Sequence, residues 1–412
     1  MLVRKVCVSV LSLFAVIVSA AVTDRVDSLV EASIESGGTP GAVLCISDDA
    51  GIYMNSYGYM SVFGTIEVMN NDVVFDLASL SKPVGVGLSV LRLVEEGRLS
   101  LSDTVSRYLK GFEGNITVTD LLTHTSGLPA YAQWKQVSGS DVPLMLCNAD
   151  DFAARKDLLR EYLCHCPRLS PPSSEFRYSC LNFITLQYVV EIVTGMRLDE
   201  YASRYVFAPL GMHHTCYMPV CSSSKVHSSK CKTVSLKRIA PTEAQPSELF
   251  PRFYRRQMKN SIHNDSLCFR GVVHDPLARE MNGGVSGNAG VFSTVNDLLL
   301  LGEWMIGKRI VKDPVMTSVQ QHALFFIVPA GYESFGRTYG WDCTSDYSSC
   351  KGGFAPREAV CHTGYTGTSM VVDPVNHRLI ILLTNRVHPY DGGGVIGLRK
   401  RIADVVYGQG DE

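Results

Sequence analysis

The chain has 412 residues, of which 46% are hydrophobic and 19% are charged. Such a composition provides a sizeable core and excludes a mostly disordered protein. The chain carries 38 basic and 40 acidic residues, for a formal net charge of −2, so its overall charge gives no reason to expect a nucleic-acid partner. We expect one large domain or two interleaved domains.

The N-terminus has the layout of a secretory signal peptide. Arg4 and Lys5 precede an apolar run over residues 6–21 that ends in the small residues Ala20 and Ala21. We predict that residues 1–21 are a signal peptide and that the protein is exported to the periplasm or the extracellular space. The alternative is a retained membrane anchor, although the run is shorter than the roughly 20 residues that span a bilayer.

The chain contains 13 cysteines, which is many for an exported protein of this size. Removal of the signal peptide leaves an even number, which permits disulfides. We predict local disulfides in two places, between Cys343 and Cys350 and among Cys216, Cys221 and Cys231. A C-x-C pair at Cys164 and Cys166 has no second pair that would complete a zinc site, so we predict no metal and no cofactor.

The predicted elements begin with a helix over residues 24–36, where apolar residues recur at helical spacing. Two strands follow, over residues 42–47 and 52–59. Residues 74–98 then pass from a short apolar run into a strongly apolar helix. Four further helical segments are predicted in the middle of the chain: 118–123 with Thr119 as its N-cap, 152–163, 183–193 and 199–205.

Residues 216–270 show no period and are predicted to be an insertion. Between Cys216 and Asn260 there are nine Lys or Arg residues and two Glu residues. A solvated insertion is the simpler interpretation, and contact with an anionic cell-wall polymer is the alternative. Beyond the insertion we predict a helix over 295–306 with Thr294 and Asp297 as a capping box, strands over 339–341, 367–373 and 378–384, and a final helix over 395–407.

Strands therefore lie near both ends of the chain, with helices between them. This order predicts an α/β fold in which an antiparallel sheet, flanked by helices and built from both termini, carries an inserted and mostly helical domain. The predicted sheet domain comprises residues 22–78 and 291–412, and the helical domain comprises residues 79–290. We expect a cleft between the two domains, with Ser79 inside it.

Ser79 and Lys82 form an S-x-x-K motif at the start of the apolar helix. Three residues make almost one helical turn, so the hydroxyl and the amine share one face. A serine is a good nucleophile only when a base removes its proton, and an uncharged amine beside it can do so. The N-terminus of the helix also offers free N–H groups for a developing oxyanion. The motif is short and also occurs by chance.

Two other stretches supply partners for such a nucleophile. Tyr178 stands in RYSCLNF at the start of a helix, where its phenol could ionise near a lysine and carry a proton, although packing is the ordinary role of a tyrosine there. His362, Thr363 and Gly364 begin a predicted strand in HTGYTGTSM, where glycine lets a ligand approach the backbone.

Several ordered segments resemble the serine β-lactamase and penicillin-binding-protein superfamily. They are, in chain order, FDLASLSK, LLTHTSGLP, FRYSCLNF followed by VVEIVTG, APLGMHHT, GNAGVFSTVNDL, and HTGYTGTSMVVDP leading to LLTNRVHP. The resemblance is strongest to exported serine hydrolases related to low-molecular-mass penicillin-binding proteins, class C β-lactamases and esterases. It covers most of residues 40–132, 176–215 and 272–390.

The resemblance implies a role for each matching residue. Ser79 attacks a carbonyl, Lys82 serves as its base or holds the proton network, and Tyr178 passes a proton to the leaving group. His362, Thr363 and Gly364 match the third motif of the family, which is usually Lys-Thr-Gly and binds substrate. The backbone N–H groups of Ser79 and Tyr365 form the oxyanion hole.

The sequence departs from the family pattern at two substrate-binding positions. Cys180 stands where the second motif carries Asn or Asp, and a thiol is a weak hydrogen-bond partner. Asn182 is nearby and could compensate, although on a helix it would point elsewhere. His362 replaces the lysine of the third motif, as in esterase-type members. Since histidine is only partly charged near neutrality, a substrate carboxylate should bind less firmly.

The function that we expect is hydrolysis of an amide or ester through a Ser79 acyl-enzyme. The substrate would be a peptidoglycan stem peptide, in a reaction like that of a D-Ala-D-Ala carboxypeptidase or a β-lactamase, and an esterase of the same family is the alternative. A different hypothesis is a binding protein on this scaffold, inactivated by Cys180.

Overall fold

A computed structural model describes residues 21–139, 152–218, 235–246 and 266–408 of the protein. The predicted signal peptide, except for residue 21, and most of the predicted basic insertion lie outside these ranges. Among the described residues, no helix has both the length and the apolar character that a membrane span requires.

The described residues form eleven strands and eleven α-helices. The strands are β1 (Gly41–Ser47), β2 (Ile52–Ser61), β3 (Glu67–Val68), β4 (Phe75–Asp76), β5 (Cys216–Tyr217), β6 (Ala244–Pro246), β7 (Ser266–Cys268), β8 (Val291–Ser293), β9 (Val360–Thr363), β10 (Ser369–Asp373) and β11 (Arg378–Thr384). The helices are α1 (21–35), α2 (Leu88–Glu95), α3 (Val118–Leu122), α4 (Trp134–Ser138), α5 (Phe152–His165), α6 (Cys180–Thr194), α7 (Leu198–Ala202), α8 (Pro276–Met281), α9 (Val295–Met305), α10 (Pro314–His322) and α11 (Ile396–Val406).

The main sheet joins the two ends of the chain. Its order is β3-β2-β1-β11-β10-β9, and every neighbouring pair is antiparallel. The central pair is β1 with β11, in which Ala42 lies opposite Thr384 and Ser47 opposite Leu379. The predicted antiparallel sheet built from both termini and flanked by helices is therefore confirmed.

Alternate residues of the central strands pack into different helical layers, because successive side chains of a strand point to opposite faces. Ala42, Leu44 and Ile46 lie in one buried cluster with apolar residues of α1 and α11. Val43 and Cys45 lie in a second cluster, which includes residues of α9 and extends into α2 and α6. The sheet is thus covered on both faces, and the second cluster joins it to the helices that carry the candidate site.

The predicted start of α3 at residue 118 is right, but the predicted N-cap is wrong. Thr117, and not Thr119, is the N-cap, because its hydroxyl accepts from the Asp120 N–H while the Asp120 carboxylate accepts from the Thr117 N–H. Thr119 lies inside the helix, where its hydroxyl donates to the Leu101 carbonyl. The choice between two threonines depended on which one finds an acidic residue three positions later.

The predicted strand over residues 339–341 is wrong. These residues form a bend between Arg337 and Asp342, which face each other in an isolated antiparallel bridge. Gly340 has φ +99°, a value that L side chains rarely adopt and that reverses the chain here. The alternation of aromatic residues around Gly340 is typical of a strand, but the glycine makes it a turn.

The cysteines follow the predictions only in part. Cys216 is disulfide-bonded, and its two predicted partners, Cys221 and Cys231, lie outside the described residues, so their pairing stays a prediction. Cys343 and Cys350 both have free thiols, so the predicted disulfide between them is absent. The Cys343 thiol instead donates to the Arg357 carbonyl at 2.9 Å.

Candidate active site

Ser79 lies in a strained turn between β4 and the apolar helix. It belongs to a short 3₁₀ helix, Ala78–Leu80, and Ala78 before it has φ +46°. The buried Asp76 carboxylate holds this turn, since Oδ1 accepts from the Ala78 N–H at 2.9 Å and Oδ2 accepts from the His274 N–H at 2.7 Å. A non-glycine residue at positive φ costs free energy, and such positions concentrate at functional sites.

Lys82 lies fully buried one turn beyond Ser79, at the start of a π-helical segment, Lys82–Gly87. Its Nζ lies 2.9 Å from Ser79 Oγ, so the predicted contact between the hydroxyl and the amine is present. Nζ also lies 3.1 Å from the Asn288 carbonyl oxygen and 3.5 Å from Cys180 Sγ. These three neighbours fix the amine against the nucleophile.

Tyr178 completes this group. The Lys82 Nζ lies 5.0 Å from the centre of the Tyr178 ring. Burial raises the pKa of the Tyr178 phenol, while its neighbours Lys82 and Ser79 lower it. Ser179 is the N-cap of α6, and its hydroxyl donates to the Pro129 carbonyl at 2.6 Å, which ties Tyr178 to the loop after α3. The structure therefore brings the three predicted catalytic residues together, with Lys82 in contact with both Ser79 and Tyr178.

The pKa of Lys82 depends on the protonation of its neighbours. Burial lowers the pKa of the amine, whereas negative charge on Cys180 or Tyr178 raises it, and the balance is upward. Burial also raises the pKa of both Cys180 and Tyr178, so both groups are neutral near pH 7. The two groups thus raise the pKa of Lys82 only in alkaline solution, where they carry negative charge. Near neutrality, burial favours the uncharged amine that a base requires.

The loop after β9 is fastened to the segment that precedes Ser79. Thr366 Oγ1 donates to the Asp76 carbonyl at 2.7 Å, and Thr368 Oγ1 donates to the Leu77 carbonyl at 2.9 Å. A Cβ on Gly364 would lie 2.2 Å from the Leu77 carbonyl oxygen, so only glycine fits at this contact. These contacts place the backbone of Tyr365 beside the Ser79 turn, as the predicted oxyanion hole requires.

The Tyr365 side chain points away from this backbone. Its ring is more than half exposed, its hydroxyl donates to Asp391 at 2.5 Å, and the Arg386 guanidinium lies 4.5 Å from the ring centre. Arg386 Nε also donates to the Tyr365 carbonyl oxygen at 2.7 Å. The predicted role of Tyr365 therefore concerns its N–H group and not its phenol.

His362 is buried and uncharged. Its Nδ1 lies 3.0 Å from the Thr363 carbonyl oxygen, which can only accept, so the proton is on Nδ1 and Nε2 presents a lone pair. Burial, and then the positive charge of Arg337, lower the pKa of His362 well below its usual value. The sequence predicted that His362 is partly charged near neutrality. In this buried environment it is neutral.

Arg337 is a site neighbour that the sequence did not single out. It is fully buried, forms an ion pair with Asp342, and lies with Cζ 5.5 Å from the centre of the Phe176 ring. Its Nε and Nη2 have no hydrogen-bond partner among the described residues. No local pattern marks Arg337, because it reaches the site only through the bend after it.

His124 lies behind Tyr178, with ring centres 4.5 Å apart. Its Nδ1 accepts from the Ser179 N–H at 3.1 Å, so the proton is on Nε2, which lacks a partner among the described residues. Asn182 contacts His124 at 3.1 Å and accepts from Ser126. The Asn182 amide is therefore occupied behind Tyr178, and its contacts are not with Lys82, in agreement with the direction expected on a helix.

Tyr347 covers Tyr178 from the other side. The two rings are stacked, with centres 5.2 Å apart and planes 11° from parallel, and Tyr347 meets Phe176 edge-on at 5.6 Å. Tyr347 lies on a 3₁₀ helix, Asp346–Lys351, and its side chain is half exposed. It forms part of the mouth of the site, and its sequence context of short polar residues gave no signal for this position.

Comparison with known proteins identifies the family. The model of the Beta-lactamase family matches residues 26–403. The chain belongs to the Beta-lactamase family. It is therefore a serine hydrolase of the type that includes β-lactamases and penicillin-binding proteins, as the ordered motifs predicted.

Individual relatives of this Beta-lactamase family chain carry several names. A protein of Escherichia coli O157:H7 described as "Putative D-alanyl-D-alanine carboxypeptidase" is 27% identical over 383 residues, which cover 89% of this chain and 82% of that protein. The structure of EstCE1, "a hydrolase with promiscuous acyltransferase activity", matches with a TM-score of 0.67 and 22% identity, covering 95% of this chain and 100% of the other.

A class C β-lactamase from Rhodobacter sphaeroides matches with a TM-score of 0.63 and 20% identity, covering 92% of this chain and 98% of the other. The two solved structures are similar to this chain in fold. They do not distinguish a peptidase from a β-lactamase or an esterase.

Proposed function

We propose that the protein hydrolyses an amide or ester through an acyl-enzyme on Ser79, with a peptidoglycan-type peptide as its substrate in a reaction like that of a D-Ala-D-Ala carboxypeptidase. The observation that carries the proposal is the 2.9 Å contact between Ser79 Oγ and the buried Lys82 Nζ. The name of the carboxypeptidase-like relatives supports the choice of substrate. Residues 1–21 support export of the protein to the compartment that holds this substrate.

The reaction would proceed in two steps. Ser79 Oγ attacks the substrate carbonyl as its proton moves to Lys82 Nζ, and the N–H groups of Ser79 and Tyr365 stabilise the oxyanion. The Tyr178 phenol, which lies beside Lys82 and Ser79, passes the proton to the leaving amine or alkoxide. Water, activated by the same group, then releases the acyl chain and restores Ser79.

One observation favours esters as a second candidate substrate class. A carboxypeptidase must bind the terminal carboxylate of its substrate, and His362 at the third motif is neutral with a lone pair on Nε2. A lone pair repels a carboxylate, whereas a neutral ester makes no such demand. The Cys180 thiol likewise offers a weaker hydrogen bond to a substrate amide than the usual Asn.

Three matched substrates separate these candidates: a short peptide that ends in D-Ala-D-Ala, the same peptide with an amidated C-terminus, and a chromogenic short-chain ester. For the carboxypeptidase, we expect release of D-Ala from the free peptide only. For the esterase, we expect turnover of the ester without cleavage of either peptide.

Ser79→Ala is the control for each substrate, and Ser102→Ala, at an exposed position, controls for handling of the variant protein. Equal rates for wild type and Ser79→Ala on all three substrates would contradict an acyl-enzyme on Ser79.

A further inference from the structure

Two thiols meet directly behind the mouth of the active site. Cys350 lies on the 3₁₀ helix Asp346–Lys351 and Cys361 on β9, and each is almost completely buried. The neighbouring Cys350 thiol, together with burial, raises the pKa of the Cys361 thiol well above its usual value, and Cys361 Sγ lies 3.6 Å from the Ser348 carbonyl oxygen of the same 3₁₀ helix. Both cysteines belong to one apolar cluster, although they are eleven positions apart in the sequence.

The two thiols connect the two elements that frame Tyr178. Cys361 immediately precedes His362, and Cys350 follows Tyr347, which is stacked on Tyr178. The 3₁₀ helix packs against both β9 and α11, and the Gly353 N–H just after it donates to Asp404 of α11 at 2.7 Å. A covalent bond between the thiols would therefore fix the position of Tyr347 relative to His362.

We propose that Cys350 and Cys361 form a redox-sensitive pair, which an external disulfide such as oxidised glutathione converts into an intrachain disulfide that fixes Tyr347 over the active site. In this exchange the S–S bond of the oxidant breaks and one S–S bond forms in the protein. The two thiol hydrogens of Cys350 and Cys361 end on the two thiols released from the oxidant, so electrons and atoms balance.

Burial decides when the exchange takes place. An oxidant cannot reach the two sulfur atoms while the 3₁₀ helix is packed on β9, because both side chains are hidden from solvent. The disulfide therefore forms during folding or during a transient opening of residues 346–351. A disulfide that holds Tyr347 in place reduces the ordering that a substrate must otherwise impose, so it should improve binding more than turnover.

Peptide mapping tests the bond itself. Trypsin cuts after Arg337, Lys351, Arg357 and Arg378, so Cys350 lies with Cys343 in peptide 338–351 and Cys361 lies in peptide 358–378. The full chain is incubated with oxidised glutathione, either native or during refolding, and free thiols are then alkylated before digestion. We expect a linked pair of these two peptides, lighter by two hydrogens than their sum.

Single substitutions assign the partner within peptide 338–351. The linked pair should persist in Cys343→Ser and disappear in Cys350→Ser and in Cys361→Ser. Alkylation of both Cys350 and Cys361 after oxidation would overturn the proposal. A disulfide closed within peptide 338–351, between Cys343 and Cys350, would overturn it as well. None of these outcomes depends on catalysis by Ser79.

The coupling to the site is measured with whichever substrate the protein turns over. We expect oxidation of the wild type to lower KM by about twofold or more, with a smaller change in kcat. The same treatment should leave KM of Cys350→Ser unchanged. A linked pair of peptides with an unchanged KM in the wild type would refute the effect on Tyr347.

Discussion

The two walls of the cleft differ in how fully their polar groups are paired. On one side, which we call the nucleophile wall, Ser79, Lys82 and Cys180 are joined by short contacts through the Lys82 amine. On the other side, the histidine wall, the buried atoms His362 Nε2 and Arg337 Nη2 have no hydrogen-bond partner among the described residues. A buried polar atom without a hydrogen-bond partner costs free energy. We therefore expect a substrate group or a water molecule to bind at these atoms.

The difference separates two questions about function. The nucleophile wall is complete before a substrate arrives, which is what an acyl-transfer reaction requires of its chemistry. The histidine wall departs from the family pattern at His362 and also holds Arg337, so we propose that it determines which substrate is accepted.

The largest effect should come from removing the amine of the nucleophile wall. Lys82→Met keeps the length of the side chain but cannot accept the Ser79 proton, so we expect kcat/KM to fall by about 10²–10⁴-fold. Activity on the preferred substrate is the measurement, and a thermal melt shows whether the variant folds. A folded Lys82→Met variant with wild-type kcat/KM would remove Lys82 from the mechanism.

A substitution in the histidine wall should change the substrate preference, with a smaller effect on kcat/KM than Lys82→Met. His362→Lys restores the usual residue of the third motif, and its charge should strengthen binding of a carboxylate substrate by about tenfold. The test is the KM for a peptide that ends in D-Ala-D-Ala, with the amidated peptide as the control. Equal effects on both peptides would mean that position 362 does not meet the carboxylate.

The pH profile of kcat/KM distinguishes the two walls, because we expect an inflection from Lys82 and none from His362. Lys82 acts as a base only when unprotonated, so kcat/KM should fall as the pH falls through the pKa of this amine in the free enzyme. His362 has a pKa far below its usual value, so it stays neutral above about pH 6 and adds no inflection there. His362→Asn should keep the acid limb, whereas Lys82→Met should lose it.

The smallest effect is expected at Cys180. Asn at this position is the usual residue of the second motif, and Cys180→Asn should raise or lower kcat/KM by less than about tenfold because Ser79, Lys82 and Tyr178 are already in contact. The same substrate assay measures it. A gain of activity from an inactive wild type would instead favour a binding protein on this scaffold.

The nucleophile wall could be predicted from the sequence because its main contact is local. Ser79 and Lys82 are three residues apart, so the helical turn alone brings them to one face. Tyr178 is distant in the chain, and the resemblance to the family gave it its role in proton transfer. The strands near both ends of the chain indicated the sheet. The structure adds that the turn is strained at Ala78 and fastened by Asp76.

The histidine wall could not be predicted in the same way. Arg337 and Tyr347 reach the site through a bend at Gly340 and a short 3₁₀ helix, and no periodicity marks either residue. His124 lies in the quoted motif LLTHTSGLP. Its position as a polar residue at the end of an apolar helix was the only sequence feature that could have indicated a role at the site. The neutral state of His362 depends first on its burial and then on the charge of Arg337, and both follow only from the fold.

Intact-protein mass spectrometry after brief exposure to a slowly hydrolysed acylating agent, such as a penicillin or an activated ester, tests the central claim most directly. We predict a gain of one acyl group on the wild type, located on Ser79 by peptide mapping and absent from Ser79→Ala. An acyl group on another residue, or equal labelling of wild type and Ser79→Ala, would contradict the account.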